Sequence, residues 1–251
     1  MTGGVKKEYR LPVTVATYDV GADAALRLSA ILRYQQEAGD RHLTPGGMGW
    51  QALAQQNMAF VASRWCCRIR QMPRLGETLS LITWHRERRG PRFFRCYQWV
   101  DAAGRERLCG VMQFALVTAD GHRLLRGDEF ERFGVTDNRD RTVDCPDPAR
   151  WPLPPLSPAG DYLVGRSDID LSGHMNNTRY ADLLCNALPE EAAARGIVQA
   201  DFYFAGECRR GDTLTLAAVL DGDGAYMQAT TERGTAFAAR LMLSPGGSYD
   251  G

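Results

Sequence analysis

The sequence predicts an α+β fold in which two units follow each other in tandem, each an antiparallel sheet wrapped around a central helix. One observation is an internal repeat, because residues 76–81 (GETLSL) are matched by residues 211–216 (GDTLTL). Each copy opens with a turn glycine and an acid, and its alternating polar and apolar residues are typical of a half-buried strand. A second observation is that residues 18–20 (YDV) are matched by residues 167–169 (SDI). Each of these segments lies upstream of the first repeat in its own half of the chain. The predicted elements also follow the same order in both halves, which favours a tandem fold.

The first copy is predicted to contain a strand, a helix and four further strands. The helix covers about residues 24–38, because apolar side chains recur there near helical spacing. The strand-like runs cover residues 8–18, 58–70, 77–88, 93–100 and 108–118. The two repeat spacings, 211 − 76 = 135 and 168 − 19 = 149, differ by 14 residues. This difference predicts an insertion near residues 44–55, where Pro45-Gly46-Gly47 interrupts the helical pattern.

The second copy has the same order of elements. A helix is predicted at 177–188, and strands are predicted at 161–167, 197–209, 213–220, 225–231 and 235–243. The stretch between the copies is rich in proline and aspartate, which is typical of a linker. The predicted organisation is therefore an N-terminal unit at 1–132, a linker at 133–160 and a C-terminal unit at 161–251.

Composition and charge exclude several classes of protein. Of the 251 residues 44% are hydrophobic, and 30 basic residues balance 30 acidic ones, so neither nucleic acid nor an anionic membrane is expected as a partner. No apolar run reaches the roughly 20 residues of a membrane span, and residues 1–10 resemble no secretory leader. Seven cysteines without a C-x-x-C pair and the dispersed His42, His85 and His122 predict no disulfide framework, metal or cofactor. A cytoplasmic enzyme is the expectation.

Ionisable and amide side chains are concentrated in the segment 166–180 (RSDIDLSGHMNNTRY), at a predicted strand-to-helix turn. Carboxylates, an imidazole and amides are costly to bury without partners, so this turn should be reachable by solvent or rich in hydrogen bonds. The start of the following helix offers backbone N–H groups to a developing negative charge. Taken alone, either Asp170 or Ser172 fits a helix-capping role better than a catalytic one. His174 beside Asn176 and Asn177 favours a site.

Two motifs carry a family resemblance that covers nearly the whole chain. Residues 170–180 (DLSGHMNNTRY) resemble the Asp-x-Asn-x-His motif, followed by a hydrophobic residue and Asn-Asn, of acyl-acyl carrier protein (acyl-ACP) thioesterases of the plant and bacterial type. Glu207-Cys208 resembles the family's Glu-Cys pair. The resemblance implies a tandem (double) hotdog fold, with an acyl-chain pocket in the N-terminal unit and catalysis in the C-terminal unit. It also implies release of free fatty acids from acyl-ACP in fatty acid biosynthesis.

The resemblance further implies roles for individual residues. Asp170, His174 and Glu207 match catalytic positions, and Cys208 matches a cysteine once proposed as a nucleophile. Ser172 stands where the family most often has Asn, so its contact with substrate or water is open. Residues implied to bind the substrate are Ser172, Gly173, Asn176 and Asn177. Two routes remain open, in which Glu207 or Asp170 either activates water or attacks the thioester directly.

Two basic patches are candidate docking sites for acyl carrier protein, an acidic partner that basic side chains would attract. One is Arg209 with Arg210, beside the predicted site, and the other contains Arg88 and Arg89. A solvated hairpin is the plain alternative for the second patch. An acyl tunnel or an ordinary core is predicted around Leu28, Ile31, Leu32, Phe60 and Trp65.

Two alternative functions remain at this stage. One is a hotdog hydrolase that acts on acyl-coenzyme A, in which the arginines would bind nucleotide phosphates. The other is a non-catalytic acyl-binding protein, which the Ser172 substitution favours and the joint presence of Asp170, His174 and Glu207 disfavours. A homodimer is expected. A monomer is the alternative, because two tandem units can pair with each other within one chain.

Overall fold

The computed structural model describes residues 5–121, 123–126, 128–131 and 133–245. The chain divides into two compact units, Met1–Pro148 and Ala149–Gly251. The first unit thus takes in part of the stretch predicted as a linker, because residues 137–147 pack against its sheet. In the described residues no helix is both long and apolar enough to cross a membrane.

The N-terminal unit is built on an antiparallel sheet with the strand order β1-β3-β4-β5-β2. Its strands are β1 (Tyr9–Thr14), β2 (Met58–Ile69), β3 (Thr78–Arg89), β4 (Arg92–Asp101) and β5 (Glu106–Thr118). Its helices are α1 (Leu28–Leu43), α2 (Trp50–Gln55) and α3 (Asp128–Glu131). Helix α2 and a 3-10 turn at Thr44–Gly46 occupy the residues predicted to hold the insertion.

Helix α1 covers one face of this sheet. Its buried side chains follow helical spacing from Leu28 to His42, and it packs against β1 and β3. The prediction ended this helix at residue 38, but the buried stripe continues for another turn, where Gly39 lies against Arg95 and Tyr97. Of the residues predicted to line a tunnel or the core, Leu28, Ile31, Leu32 and Trp65 are at most 2% exposed and Phe60 is half-buried. They belong to the core, and the acyl pocket stays a prediction.

The core beneath α1 also holds a buried polar cluster. The Arg95 guanidinium donates to Thr83 Oγ1 at 3.2 Å and lies 2.9 Å from His42 Nδ1. His42 Nε2 contacts the Lys6 carbonyl at 2.7 Å, and His85 Nε2 lies 3.1 Å from the Asp137 carboxylate. Burial, reinforced by the charge of Arg95, lowers the pKa of both His42 and His85 to about 4. Both imidazoles are therefore neutral at physiological pH.

The C-terminal unit repeats this architecture. Its antiparallel sheet has the order β6-β8-β9-β10-β7, which matches the first sheet strand for strand. The strands are β6 (Ser157–Leu163), β7 (Ile197–Phe204), β8 (Thr213–Asp221), β9 (Gly224–Thr231) and β10 (Gly234–Leu243). The helices are α4 (Asn177–Ala187) and α5 (Glu190–Ala193). The predicted α+β class is confirmed, with one sheet and one long helix in each unit.

Two strands in this unit differ from their predicted bounds by more than one residue. Strand β7 ends at Phe204 rather than residue 209, because the Ala205 and Gly206 N–H groups both donate to the Ala236 carbonyl and turn the chain. Strand β6 spans 157–163 rather than 161–167, and a 3-10 turn at Arg166–Asp168 follows it. The earlier end of β7 leaves Glu207 and Cys208 in a turn, and the earlier end of β6 leaves Gly165 in the turn that precedes the candidate site.

Candidate active site

The predicted catalytic motif forms a tight loop just before α4. Ile169 and Met175 face each other as an isolated antiparallel bridge, and the Asp170 N–H donates to the His174 carbonyl at 2.9 Å. The Gly173 N–H donates back to the Asp170 carbonyl at 3.0 Å. Gly173 has a φ of 81°, a conformation that glycine adopts without steric cost. The loop therefore has a defined shape and holds His174 at the N-terminal end of α4.

Asp168 anchors this loop from below. It is 2% exposed, and its carboxylate accepts hydrogen bonds from Tyr162 Oη (2.8 Å), the Gly165 N–H (2.8 Å) and Arg179 Nε (2.9 Å). Burial alone would raise the pKa of Asp168, but these hydrogen bonds and the Arg179 charge outweigh it and lower that pKa. The Asp168 carbonyl also accepts the Asn176 N–H at 2.8 Å. Asp168 thus ties both ends of the loop together.

The Asp170 carboxylate is engaged within the loop itself. One oxygen accepts the Ser172 N–H at 2.8 Å, and the other lies 3.5 Å from Asn176 Nδ2. The Asn176 side chain meanwhile caps α4, because its Oδ1 accepts the Thr178 N–H at 2.9 Å. Because the Ser172 backbone N–H makes this hydrogen bond, the contact with Asp170 does not depend on the side chain at position 172.

His174 and Glu207 form the central contact of the site. His174 Nε2 lies 3.1 Å from Glu207 Oε2, and the two side chains are 18% and 32% exposed. Glu207 lies in the turn after β7, and this turn is held to the loop because the Met175 N–H donates to the Cys208 carbonyl at 2.7 Å. The structure therefore brings together two residues that are 33 positions apart in the sequence, in a place that solvent and substrate can reach.

The helix N-terminus beside this pair offers fewer free donors than the sequence suggested. The N–H groups of Gly173, Met175 and Asn176 already donate to carbonyls of Asp170, Cys208 and Asp168. The Asn177 N–H, at the first residue of α4, remains as a donor that could meet an oxyanion. Gly173 and Asn176 shape the loop, and their predicted contact with substrate stays a prediction.

Cys208 is next to Glu207 but lies in a different environment. It is fully buried, and burial raises the pKa of its thiol. Tyr180, which stacks on Phe237 with ring centroids 4.8 Å apart, is buried beside it and its own pKa is likewise raised by burial. A thiol in this environment stays protonated, which disfavours Cys208 as a nucleophile.

The N-terminal unit contains the same loop without these chemical groups. Val20 and Leu26 form its bridge, and the Gly21 N–H donates to the Ala25 carbonyl at 3.0 Å. The Leu26 N–H donates to Pro73 O at 2.8 Å, as Met175 does to Cys208 O. Gly21, Ala25 and Met72 consequently occupy the positions of Asp170, His174 and Glu207. The two loops have the same backbone hydrogen bonds, but only the loop in the C-terminal unit has acid–base side chains at these positions.

The two basic patches differ in how far their charges are neutralised. Arg209 and Arg210 are exposed, and the described residues place no ion pair on either side chain. The Arg209 backbone N–H donates to the Asp212 carboxylate at 2.7 Å, which fixes this turn. Arg89, in contrast, pairs with Glu87 and Asp147. Arg88 lines a cavity of about 370 Å³ with Phe130 and Asp137, and this cavity includes none of the predicted catalytic residues.

Among the described residues, no group of three or more His, Cys, Asp or Glu side chains could hold a metal ion. His42 and His85 lie in the core of the N-terminal unit, and His122 lies outside the described residues. The candidate site itself presents a carboxylate and an imidazole beside a helix N-terminus.

Two solved structures share the architecture of the whole chain. An acyl-ACP thioesterase from Bacteroides thetaiotaomicron superposes with a TM-score of 0.84, at 18% identity over 95% of this chain and 98% of that one. The 12:0-ACP thioesterase from Umbellularia californica superposes with a TM-score of 0.83, at 18% identity over 97% of this chain and 99% of that one. A comparison with curated proteins found no match. The likeness establishes the fold as a double hotdog.

The chain thus consists of two hotdog units in tandem, and the second carries an imidazole in contact with a carboxylate. Residues 6–129 match the acyl-ACP thioesterase N-terminal domain, and residues 157–246 match the acyl-ACP thioesterase C-terminal domain. The chain belongs to the acyl-ACP thioesterase family, and it is a thioester hydrolase that acts on acyl-ACP.

Proposed function

We propose that the chain cleaves acyl-ACP at a site formed by His174 and Glu207 in its C-terminal unit. The observation that carries this proposal is the 3.1 Å contact between His174 Nε2 and Glu207 Oε2, whose side chains are 18% and 32% exposed. A carboxylate paired with an imidazole can accept a proton from water and return it to a leaving group.

Glu207 is the better candidate for the base. The Asp170 carboxylate accepts the Ser172 N–H and faces Asn176, so it is occupied in holding the loop. Glu207 would take a proton from water while the oxygen adds to the thioester carbonyl carbon. The oxyanion would be stabilised by the Asn177 N–H at the start of α4. When the C–S bond breaks, the proton would pass through His174 to the departing sulfur, which leaves as the thiol of the carrier.

The carrier protein is proposed to dock at the Arg209–Arg210 turn. Both side chains are exposed next to Glu207, whereas Arg89 in the alternative patch is already paired with two carboxylates. Leu171, 80% exposed in the predicted catalytic loop, would add an apolar contact. A mixed basic and apolar rim fits an acidic protein that also presents apolar side chains.

The test is hydrolysis of palmitoyl-, oleoyl- and shorter acyl-ACPs, beside the matching acyl-coenzyme A esters, by the wild type and His174→Ala. We expect free fatty acid from acyl-ACP and a loss of about 100-fold or more in kcat for the variant, as removal of acid–base catalysis implies. Retained activity in His174→Ala would reject the proposed site. A preference for coenzyme A esters would reject the proposed carrier.

Docking is tested separately from chemistry. Reversing the charges in Arg209→Glu/Arg210→Glu is expected to raise KM for acyl-ACP about tenfold or more while kcat changes little, because only the encounter with the carrier is affected. Arg88→Glu, a charge reversal in the other basic patch, serves as the matched control. The proposal fails if Arg88→Glu raises KM and the double variant does not.

A further inference from the structure

A segment of the N-terminal unit covers the face of its sheet that is turned away from α1. We call residues 137–147 the strap. The Asn138 N–H donates to the Arg86 carbonyl at 2.8 Å, and Trp84 Nε1 donates to the Arg141 carbonyl at 3.0 Å. Ion pairs continue this attachment, from Arg68 to Asp144 at 2.8 Å and from Arg89 to Asp147 at 2.7 Å. The strap is thus held along several strands.

Beneath the strap the sheet presents a row of apolar and thiol side chains. Register places Cys66 opposite Val111, Val111 opposite Cys96, and Cys96 opposite Trp84, across β2, β5, β4 and β3. This row faces away from α1, because Trp65, the neighbour of Cys66, points to the helix and donates to Gln35 Oε1 at 2.9 Å. Strands present successive side chains to opposite faces, so the row faces the strap.

The strap places one of its own thiols in this row. Cys145 packs in one cluster with Cys66, Cys96 and Cys109, and its Sγ lies 3.3 Å from Cys66 Sγ. Cys66 is fully buried, whereas Cys145 is 9% exposed. Two cysteines that are 145 − 66 = 79 residues apart in the chain are therefore in sulfur–sulfur contact.

We propose that Cys66 and Cys145 form a site of reversible oxidation, whose disulfide fastens the strap to the sheet. A disulfide has an S–S distance of about 2.05 Å, so closure requires the sulfurs to approach by only about 1.2 Å. The neighbouring thiols of Cys96 and Cys109 are less suited to react in place of this pair. Burial raises the pKa of Cys96 to about 12 and also raises that of Cys109, which keeps both protonated.

The oxidant in this proposal is a peroxide. The thiolate of Cys145, which is 9% exposed whereas Cys66 is fully buried, attacks one peroxide oxygen and becomes a sulfenic acid, and with hydrogen peroxide the other oxygen leaves as water. The sulfur of Cys66 then attacks the sulfenic sulfur, the S–S bond forms and a second water leaves. Two thiols lose two electrons and two protons, and one hydrogen peroxide is reduced to two waters. A dithiol reverses the step by exchange.

The disulfide should stabilise the protein, because it closes a long loop in the unfolded chain. This inference does not rest on the proposed catalytic residues, since the strap and the row lie in the other unit. We expect the melting temperature of the oxidised protein to rise by about 5 °C or more, and to return to its starting value in dithiothreitol.

The experiment treats the full chain with hydrogen peroxide, alkylates the remaining thiols and maps disulfide-linked peptides by mass spectrometry. A Cys66–Cys145 peptide, lost on reduction, is the expected product. Cys145→Ala should abolish both this peptide and the rise in melting temperature, whereas Cys185→Ala, which removes an exposed cysteine, should abolish neither. Wild-type protein in which Cys66 and Cys145 remain alkylatable, or in which Cys185 takes up the oxidation instead, would overturn the proposal.

Discussion

Asp168 and Asp170 are two residues apart, yet their surroundings assign them different roles. Asp168 is buried and accepts hydrogen bonds from Tyr162, Gly165 and Arg179. Asp170 lies in the loop and accepts the Ser172 N–H. Neither carboxylate contacts the imidazole as Glu207 does, at 3.1 Å from His174 Nε2. At the scale of single residues, hydrogen-bond partners therefore distinguish Glu207, the candidate base, from Asp168 and Asp170, which hold the loop in position.

The first prediction compares these carboxylates by isosteric substitution. Glu207→Gln should lower kcat about 100-fold or more, because an amide cannot accept the proton of water. Asp170→Asn should lower kcat less, because an amide oxygen can still accept the Ser172 N–H. Single-turnover hydrolysis of acyl-ACP measures both. An equal loss in the two variants would mean that Asp170 takes part in the proton transfer.

The second prediction concerns the cysteine beside the site. Cys208→Ala should keep kcat within about threefold of the wild type, because its buried thiol has a raised pKa and is not a thiolate at neutral pH. Thermal denaturation of the same variant separates loss of packing from loss of chemistry. A covalent acyl–enzyme that disappears with Cys208 would contradict this expectation.

The loop–helix element is used twice in the chain with the same backbone hydrogen bonds. In both copies a buried aspartate follows a strand, and its carbonyl accepts the N–H eight residues later, from Asn176 to Asp168 at 2.8 Å and from Arg27 to Asp19 at 3.0 Å. The Asp19 carboxylate accepts Tyr34 Oη at 2.7 Å, as Asp168 accepts Tyr162 Oη. The loop and helix are thus a structural element common to both units, and only the second copy also carries the side chains of the candidate site.

The third prediction uses this duplication as an internal control. Asp168→Asn and Asp19→Asn should each lower the free energy of unfolding by about 2 kcal/mol, because each weakens hydrogen bonds to a buried charged acceptor. Only Asp168→Asn should also lower kcat, since only its loop carries His174. Chemical denaturation and acyl-ACP turnover are measured on both variants. An equal effect on kcat would show that the loss is one of general stability.

On the scale of the whole molecule, the two units have diverged in what their cores contain. The N-terminal core includes Arg95 against His42 and Thr83, and His85 against Asp137. Burial and the Arg95 charge hold the pKa of each histidine near 4 rather than its ordinary 6.5. The unfolded chain therefore binds more protons than the folded one as the pH falls below about 6.5.

The fourth prediction follows from this difference. The free energy of unfolding should fall as the pH decreases from about 6.5 to 4, by on the order of 3 kcal/mol for each histidine. Denaturant titrations at several pH values measure the slope. His42→Gln and His85→Gln should each flatten it. An unchanged slope in both core variants would mean that other groups dominate acid unfolding.

The sequence by itself determined the tandem architecture, and it predicted the location of the candidate site. The repeated GETLSL and GDTLTL segments and the alternation along each strand predicted two sheets with a helix each, because periodicity is a local property of the chain. The 14-residue difference in repeat spacing predicted the insertion. The segment around His174 stood out because several polar groups are crowded into one turn. Whether the predicted residues act in catalysis stays a proposal.

Tertiary structure decided what depends on partners distant in the chain. The contact of His174 with Glu207, the burial of Cys208 and the anchoring of Asp168 by Arg179 require strands, turns and a helix to be brought together. The ends of β7 and α1 were also set by such contacts, which local propensity cannot register. The sulfur contact of Cys66 with Cys145 spans 79 residues. Hydrogen bonding and burial are properties of neighbours in space, and only the folded chain fixes those neighbours.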